Sequence, residues 1–297
     1  MPPSHNKPDT SPESDAADPR EAEAGPYLVP GLERGLRILS EFSAREPILS
    51  APELSRRIGI PRTTTFRLLQ TLQSLGFLER APGERSFKLG VAVLRLGFEY
   101  LNSLELTDFA TPILDSLRDA TGHSAHLLIR DGRDIVFVAK AQAVNPMFNS
   151  VRVHVGSRLP AHATLHGQVL MGDFTLGELR QLYPESQLER FTERTPATID
   201  DLYQRIREIA RQGYGISQES YERGISAISA PVRDAKGEIV AAITITILQP
   251  DLDAAERASL AAAVCGAALD LSARLNYAPR ADDPTSAVAG RRMPSAA

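Results

Sequence analysis

Apolar residues recur at helical spacing in two short, adjacent stretches after residue 50. Ser50 can cap the first stretch, with Pro52 in its first turn and Glu53 placed to reach back to the cap. Gly59 permits the left-handed backbone that ends such a helix, and Pro61 suits the first position of the next one. The pattern therefore predicts two short helices joined by a tight turn.

The second of these helices has two faces of different character. One is a predicted buried stripe at intervals of three and four, made of Thr65, Leu68, Leu69, Leu72 and Leu75. The opposite face, near the start of the helix, carries residue types that contact guanine edges, phosphates and thymine methyl groups in the DNA major groove. These outward residues are Arg62, Thr63, Phe66, Arg67 and Gln70. A solvated helix face is the alternative interpretation of the same pattern.

Two short β-rich segments follow, 77–80 and 86–89, joined by a turn whose tip is formed by Gly83 and Arg85. Two helices at a tight turn followed by such a hairpin predict a winged helix-turn-helix. Residues expected to read bases or to position the recognition helix are Arg62, Thr63, Thr64, Phe66 and Arg67. Those expected mainly to contact phosphates are Arg56, Arg57, Arg80 and Arg85.

Beyond residue 104 the hydrophobic pattern alternates between helical and β-strand periods, which predicts helices packed on a mostly antiparallel sheet. Turn sequences at 131–133 and 234–237 indicate two hairpins. Predicted helices cover 108–120, 200–212 and 251–275, and predicted strands cover 123–130, 134–141, 149–155, 226–233 and 238–248.

Length and composition place the 297-residue chain among ordinary globular proteins of about two domains, with 42% hydrophobic residues and a net charge of −4. No apolar run is long enough to span a membrane, and the N-terminus lacks the features of a secretory signal, so we expect a cytoplasmic protein without membrane partners. Cys265 is the only cysteine, which excludes an internal disulfide and favours a small buried residue.

Charge is distributed unevenly along the chain. Residues 27–90 contain ten Arg and Lys against six Glu, so this segment is locally basic although the whole chain is acidic. A local basic excess can neutralise phosphates, and overall acidity therefore does not argue against DNA binding.

Three blocks of residues together resemble the IclR family of bacterial transcriptional regulators. The first comprises 31–39, similar to the family's first helix, and 60–69, similar to its recognition helix. The second is Leu159 to Thr164 followed by Gly167, which matches the most family-specific segment of the effector domain. The third runs from Gly213 to Ile243 and includes the sequence Ile228 to Val232.

The resemblance implies an α+β protein in which an N-terminal winged helix-turn-helix is joined by a linker helix to a GAF/PAS-like effector-binding domain. We predict disordered tails over 1–26 and 278–297, since both lack large apolar residues. Between them lie a DNA-binding domain over 27–90, a linker helix over 91–104 and an effector domain over 105–277. Apolar residues of the linker are expected to pack against a second subunit, giving a homodimer or tetramer on near-palindromic operator DNA.

The expected effector is a small organic acid, held where the helix cap of Thr164 leaves amides free near residues 165–167. Carrying the family pattern over residue by residue gives the ligand contacts Phe148, Val151, Leu159, Leu165, His166, Gly167, Ser217, Ile225, Ala227, Thr244 and Thr246.

This chain departs from well-known relatives at three of these positions. Ser217 and Ala227 stand where some relatives that bind small keto acids have an acidic residue and a cysteine, and His166 replaces a small residue. A different ligand is therefore expected. His166, His126 and Arg130 could hold a bulkier acid, with aromatic acids as candidates.

Two alternatives remain open at this point. A DNA-binding dimer whose second domain only oligomerises would have the same pattern. A metal-dependent enzyme is the other alternative, because His162 and His166 are spaced so that both could face one metal on a helix. The sequence shows no phosphate-binding glycine loop, nucleophile elbow or paired-cysteine metal motif, and predicts neither catalytic residues nor a cofactor.

Overall fold

The computed structural model describes residues 28–43, 45–81, 86–103, 105–143, 153–218, 221, 224–247, 253–280 and 283–290. The chain divides into two compact units, and the division falls between Glu99 and Tyr100. Within the described ranges no helix combines the length and the apolar character that crossing a bilayer requires.

The first unit contains three helices and a small sheet. Its elements are α1 (Pro30–Ser40), β1 (Leu49–Ser50), α2 (Ala51–Ile58), α3 (Arg62–Ser74), β2 (Leu78–Arg80) and β3 (Ser86–Leu89). The strands pair antiparallel in the order β1-β3-β2. Its core brings side chains of all three helices onto the hairpin, and the buried members are Ile38, Phe42, Leu49, Leu54, Leu69, Leu78 and Phe87.

The predicted helix-turn-helix is confirmed in its local geometry. The Ser50 hydroxyl accepts a hydrogen bond from the Glu53 amide at 3.4 Å, and Gly59 adopts φ 75°, the left-handed conformation expected at the turn. Helix α3 begins one residue later than predicted, with Pro61 as its cap residue. Leu75 was wrongly assigned to the buried stripe: it lies just past the helix end and is 61% exposed.

Helix α4 (Val91–Ser103) spans the boundary between the two units and covers most of the predicted linker. The second unit continues with α5 (Glu105–Thr121), β4 (Ser124–Asp131), β5 (Asp134–Ala141), β6 (Arg158–Pro160), α6 (Leu165–Leu170), α7 (Leu176–Leu182) and α8 (Ile199–Gln212). It then adds β7 (Gly215–Gln218), β8 (Ser226–Arg233), β9 (Ile239–Ile247), α9 (Ala254–Arg274) and α10 (Pro284–Ala289).

One antiparallel sheet of six strands, in the order β6-β5-β4-β9-β8-β7, organises the second unit. Because neighbouring residues of a strand point to opposite faces, the sheet builds two cores. Leu127, Ile243 and Ile245 face a core shared with α5 and α9, whereas Leu128 and Ala242 face one shared with α6 and α8. This arrangement confirms the predicted α+β class with a winged helix-turn-helix and a separate sheet domain.

Two predictions about irregular segments need correction. The expected strand at 149–155 is absent in its described part, because Val153 and His154 are not in a strand and Val155 lies in a turn; 149–152 fall outside the described residues. The predicted disordered tail at 278–297 contains α10. The Thr285 hydroxyl donates to the Gly213 carbonyl at 2.9 Å, and the Asp283 carboxylate accepts from Tyr277 at 2.7 Å. Buried polar contacts of this kind hold a segment that has few large apolar residues.

Candidate nucleic-acid interface and ligand site

Helix α3 presents the predicted outward face to solvent. Arg62, Thr63, Phe66 and Arg67 are exposed, and Thr64 is half-buried beside them. Phe66 is 51% exposed, which is unusual for an aromatic side chain with no partner surface. Within the described part of the chain, no hydrogen bond or ion pair engages the guanidinium of Arg62 or Arg67. The two arginine side chains without a described partner and the exposed Phe66 ring lie on one helix face, which suits contact with a groove of DNA.

Arg57 has a different environment from the one predicted. Its guanidinium contacts Glu53 at 2.6 Å, Glu46 at 2.9 Å and Glu41 at 3.7 Å, and only 24% of its side chain is exposed. The hydrogen bonds that Arg57 donates to Glu46 and Glu53 raise the pKa of Arg57, and the same bond to Glu46 lowers the pKa of Glu46. A guanidinium so engaged joins α2 to the segment after α1, so we remove it from the predicted phosphate contacts.

The other predicted phosphate contacts have distinct surroundings. Arg56 is 79% exposed and its contact with Glu53 is long, at 3.7 Å. The Arg80 guanidinium stacks over the Phe87 ring at 4.5 Å, which fixes it on the hairpin. Arg85 lies outside the described residues. Arg56 on α2 and Arg80 on β2 stay predicted phosphate contacts.

In the second unit, polar side chains form a row across the sheet face that packs against α6. His126 on β4 lies opposite Thr244 on β9, and Thr244 lies opposite Ser229 on β8. On the other side, His126 lies opposite Lys140 on β5. Directly paired residues share a face, so four polar side chains from four strands point the same way. We call these four residues the polar row.

The Thr244 hydroxyl sets the hydrogen-bond pattern in this row. It donates its proton to the Ser229 hydroxyl at 2.7 Å and lies 3.2 Å from Nδ1 of His166 on α6. A hydroxyl has one proton, so a Thr244 that donates to Ser229 can only accept from His166. The proton of the neutral His166 ring is then on Nδ1, and Nε2 carries a lone pair.

His126 is the polar residue whose bonding is incomplete. It is 3% exposed, its ring packs edge-on against Phe137 at 5.4 Å, and its buried Nδ1 has no hydrogen-bond partner among the residues that the structure describes. Burial, with smaller effects from His166 and Lys140, lowers the pKa of His126 to about 3. Burial likewise lowers the pKa of His166 to about 4. Both rings are therefore neutral near pH 7.

Lys140 is a candidate ligand residue that the sequence analysis missed. Its ammonium donates to the Val153 carbonyl at 2.9 Å, and burial lowers its pKa. A register shift between β4 and β5 places it on the same face as His126. The signal that could have revealed it is a single cation between two alanines in an apolar strand.

Most of the predicted ligand residues that the structure describes lie in or near the polar row, and a few lie elsewhere. Ser217, Ala227 and Thr246 form the neighbouring row at the β7 side, since they pair in register. Leu165 reaches the backbone of Gly215, whereas Leu159 is on β6 at the far edge of the sheet. Ile225 is half-buried just before β8. Phe148 and Val151 lie outside the described residues.

Two expectations about acid binding are weakened by the geometry. The Thr164 hydroxyl caps α6 and accepts from the Gly167 amide at 3.3 Å, so that amide is not left for a ligand. A Cβ at Gly167 would overlap the Ala161 backbone, which explains glycine there as a packing requirement. Arg130 points to the β4–β5 turn, where it donates to the Gly132 carbonyl and stacks on Phe174.

The geometry does not favour a metal centre at His162 and His166. Nε2 of His162 lies 2.9 Å from the Glu189 carbonyl, and its ring packs edge-on against Tyr183. His166 instead contacts the Thr244 hydroxyl, so the two rings contact different residues and do not face one common point. Among the described residues, no group of three or more His, Cys, Asp or Glu side chains converges on one point. Cys265 is buried, as predicted, and burial raises its pKa to about 12.

A cavity of about 380 Å³ lies away from the polar row, between α8, α10 and the β8–β9 turn. Its polar groups largely satisfy one another: Arg233 pairs with Asp173 at 2.9 Å, and Asp283 accepts from Tyr277. No predicted ligand residue lines it. The polar row, with its incompletely bonded buried histidine, is therefore the stronger candidate for a ligand site.

Known proteins match both units of the chain. The IclR helix-turn-helix domain matches residues 31–82, and the bacterial transcriptional regulator IclR C-terminal domain matches residues 98–273. The chain is 30% identical over 250 residues to the HTH-type transcriptional regulator XynR of Escherichia coli, an alignment that covers 84% of this chain and 98% of that protein.

Solved structures agree with these matches. A protein of Rhodococcus sp. RHA1 assigned as a transcriptional regulator has 31% identity and a TM-score of 0.72, over 84% of this chain and 99% of that one. An IclR homolog from Microbacterium hydrocarbonoxydans, complexed with 4-hydroxybenzoate, shares the fold with a TM-score of 0.71 at 22% identity, over 83% of this chain and 99% of that one. The chain described here belongs to the IclR family of bacterial transcriptional regulators.

Proposed function

We propose that this protein is a ligand-responsive transcriptional regulator that binds operator DNA through α3 and a small organic acid at the polar row. The observation that carries the DNA-binding part is the exposed α3 face, where Arg62 and Arg67 are uncommitted and Phe66 meets solvent. As a regulator of bacterial DNA it would work in the cytoplasm. Family members named above act as transcriptional regulators, and the polar row offers recognition groups rather than a converging catalytic set.

Operator affinity tests the role of the α3 face. We expect Arg67→Ala to weaken binding to operator DNA by about 1–3 kcal/mol if it contacts a base edge, with a smaller effect on scrambled DNA. Arg56→Ala should weaken both DNAs alike and reduce the salt dependence, because phosphate contacts release counterions whatever the sequence. Fluorescence anisotropy on DNA flanking the protein's own gene, at several salt concentrations, measures both effects.

Arg207→Ala provides the control for that experiment, since Arg207 is an exposed arginine on α8 in the other unit. It should leave both affinities unchanged. Equal losses on operator and scrambled DNA for Arg67→Ala would contradict base reading by α3.

The supporting observation for an oligomer is exposed apolar surface on two helices. Val91, Leu94 and Leu96 of α4 are 72%, 55% and 56% exposed, and Leu32 and Leu36 of α1 are 63% and 56% exposed. Val91 and Leu94 are three residues apart and Leu32 and Leu36 four apart, so each pair lies on one helix face, and apolar pairs this exposed indicate a surface that another subunit covers. A second copy of the chain would also supply the second recognition helix that a near-palindromic operator requires.

We therefore expect the full-length protein to sediment as a dimer or tetramer at micromolar concentration. Leu94→Asp should shift it toward monomer, because a carboxylate cannot be buried unpaired in such an interface. Val240→Asp, at a 36% exposed valine on β9, serves as the matched control and should not change the oligomeric state. A monomeric wild-type protein would contradict the proposal.

Lys140 supports an acid as the effector. It is a half-buried cation on the face of the polar row, and a carboxylate placed beside it would form a charge-assisted hydrogen bond. His166, larger than the small residue of keto-acid-binding relatives, alters the space beside that cation. An aromatic acid is the candidate that suits the edge-on rings of Phe137, His126 and His166.

Acid binding is expected to change operator affinity, and operator DNA must change acid affinity by the same factor, typically about 5–150. Calorimetry with benzoate, phenylacetate, pyruvate and glyoxylate identifies the class of acid. Lys140→Met should abolish the effect of the acid while leaving operator affinity without acid unchanged. Binding of the keto acids but not of the aromatic acids would contradict the aromatic class. Absence of any acid effect would favour a second unit that only oligomerises.

A further inference from the structure

The polar row contains one buried nitrogen that nothing in the described part of the chain satisfies. His126 is only 3% exposed, and its fully buried Nδ1 has no hydrogen-bond partner among these described residues. A buried polar atom left unbonded costs stability, and natural structures keep such atoms where a ligand or water completes them. Ser229, Thr244 and His166 on the same face are already bonded to one another.

A second unused hydrogen-bonding atom lies on His166. Because its Nδ1 donates to Thr244, the other ring nitrogen, Nε2, presents a lone pair, and no described residue hydrogen-bonds to it. His126 and His166 both pack edge-on against Phe137, at centroid distances of 5.4 Å and 6.2 Å. Two incompletely bonded imidazoles therefore flank one aromatic ring.

The protonation of these rings decides what they can bind. Both are neutral near pH 7, since burial lowers the pKa of His126 to about 3 and that of His166 to about 4. A carboxylate only accepts hydrogen bonds and would meet the lone pair of His166 Nε2. A hydroxyl can donate to that lone pair and, when the proton of neutral His126 is on Nδ1, accept from His126 at the same time, so in that tautomer one hydroxyl satisfies both rings.

We propose that the effector carries a hydroxyl group in addition to its acid group, and that His126 and His166 bind this hydroxyl while Lys140 binds the acid. The inference rests on the proposed function, because it concerns the same site. It makes His126 a specificity-determining residue that selects hydroxylated acids over their unhydroxylated counterparts. A site built to hydrogen-bond a hydroxyl discriminates strongly against the analogue that lacks it.

Matched pairs of acids test this inference by isothermal titration of the full-length protein. The pairs are benzoate with 3- and 4-hydroxybenzoate, phenylacetate with 4-hydroxyphenylacetate, succinate with malate, and propionate with lactate. We expect the hydroxylated member of at least one pair to bind about tenfold more tightly, or better, as one net hydrogen bond predicts. In that pair His126→Phe should remove the preference while keeping an aromatic ring against Phe137.

Two further variants separate recognition from folding. His126→Asn keeps a polar group near the position of Nδ1 and should retain part of the preference, so the test does not depend on His126→Phe folding. His154→Phe changes an exposed histidine between β5 and β6 and should retain all of it. Titrations of wild-type protein in phosphate and in Tris at about pH 7 should show no net proton uptake, because both rings stay neutral.

The outcomes distinguish this inference from the proposed function. If the hydroxylated and unhydroxylated acids of every pair bind equally well, the inference is overturned, whereas the proposal of an acid effector is not. A preference that survives in both His126→Phe and His126→Asn, or uptake of about one proton per acid bound, would also overturn it. If no acid binds, the acid effector itself fails, and this inference fails with it.

Discussion

The single proton of the Thr244 hydroxyl determines the chemistry of the second unit. A polar group buried on a sheet between two apolar cores costs stability when it lacks a partner, and Thr244 can give its proton to only one neighbour. It gives it to Ser229, so His166 must donate to Thr244 and present its other nitrogen outward. Beside them, Nδ1 of His126 has no hydrogen-bond partner among the described residues. The fold thus holds two neutral imidazoles, incompletely bonded, beside a half-buried lysine.

The arginines of the first unit differ in their carboxylate neighbours, and this difference separates a structural arginine from those proposed to contact DNA. Arg57 and Arg67 are both arginines of the helix-turn-helix, yet three glutamates surround Arg57 and no described side chain binds the guanidinium of Arg67. The ion pairs of Arg57 join α2 to the preceding segment. Because Arg62 and Arg67 have no ion-pair partner in the described part of the chain, the exposed α3 face stays positive, which suits the proposed DNA contact.

Local signals in the sequence predicted most of the first unit and two hairpins of the second, β4–β5 and β8–β9. Ser50, Gly59 and the spacing of Leu68 and Leu69 identify the helix-turn-helix, because caps and periodicity depend on near neighbours. Leu75 was misplaced because the exact helix end depends on packing. Long-range pairing was not predictable in the same way. The register shift that turns Lys140 toward His126, and the docking of Thr285 on Gly213, depend on residues distant in sequence.

The charge and the tautomer of the two histidine rings are the most direct test of this hydrogen-bond pattern. Long-range ¹H–¹⁵N NMR of the ligand-free full-length protein reports the charge and the tautomer of each imidazole at about pH 6, where an ordinary histidine is mostly protonated. Neutral rings for His126 and His166, with the His166 proton on Nδ1, are the predicted result. An imidazolium at either position, or a proton on Nε2 of His166, would contradict the hydrogen-bond pattern from which the effector chemistry is inferred.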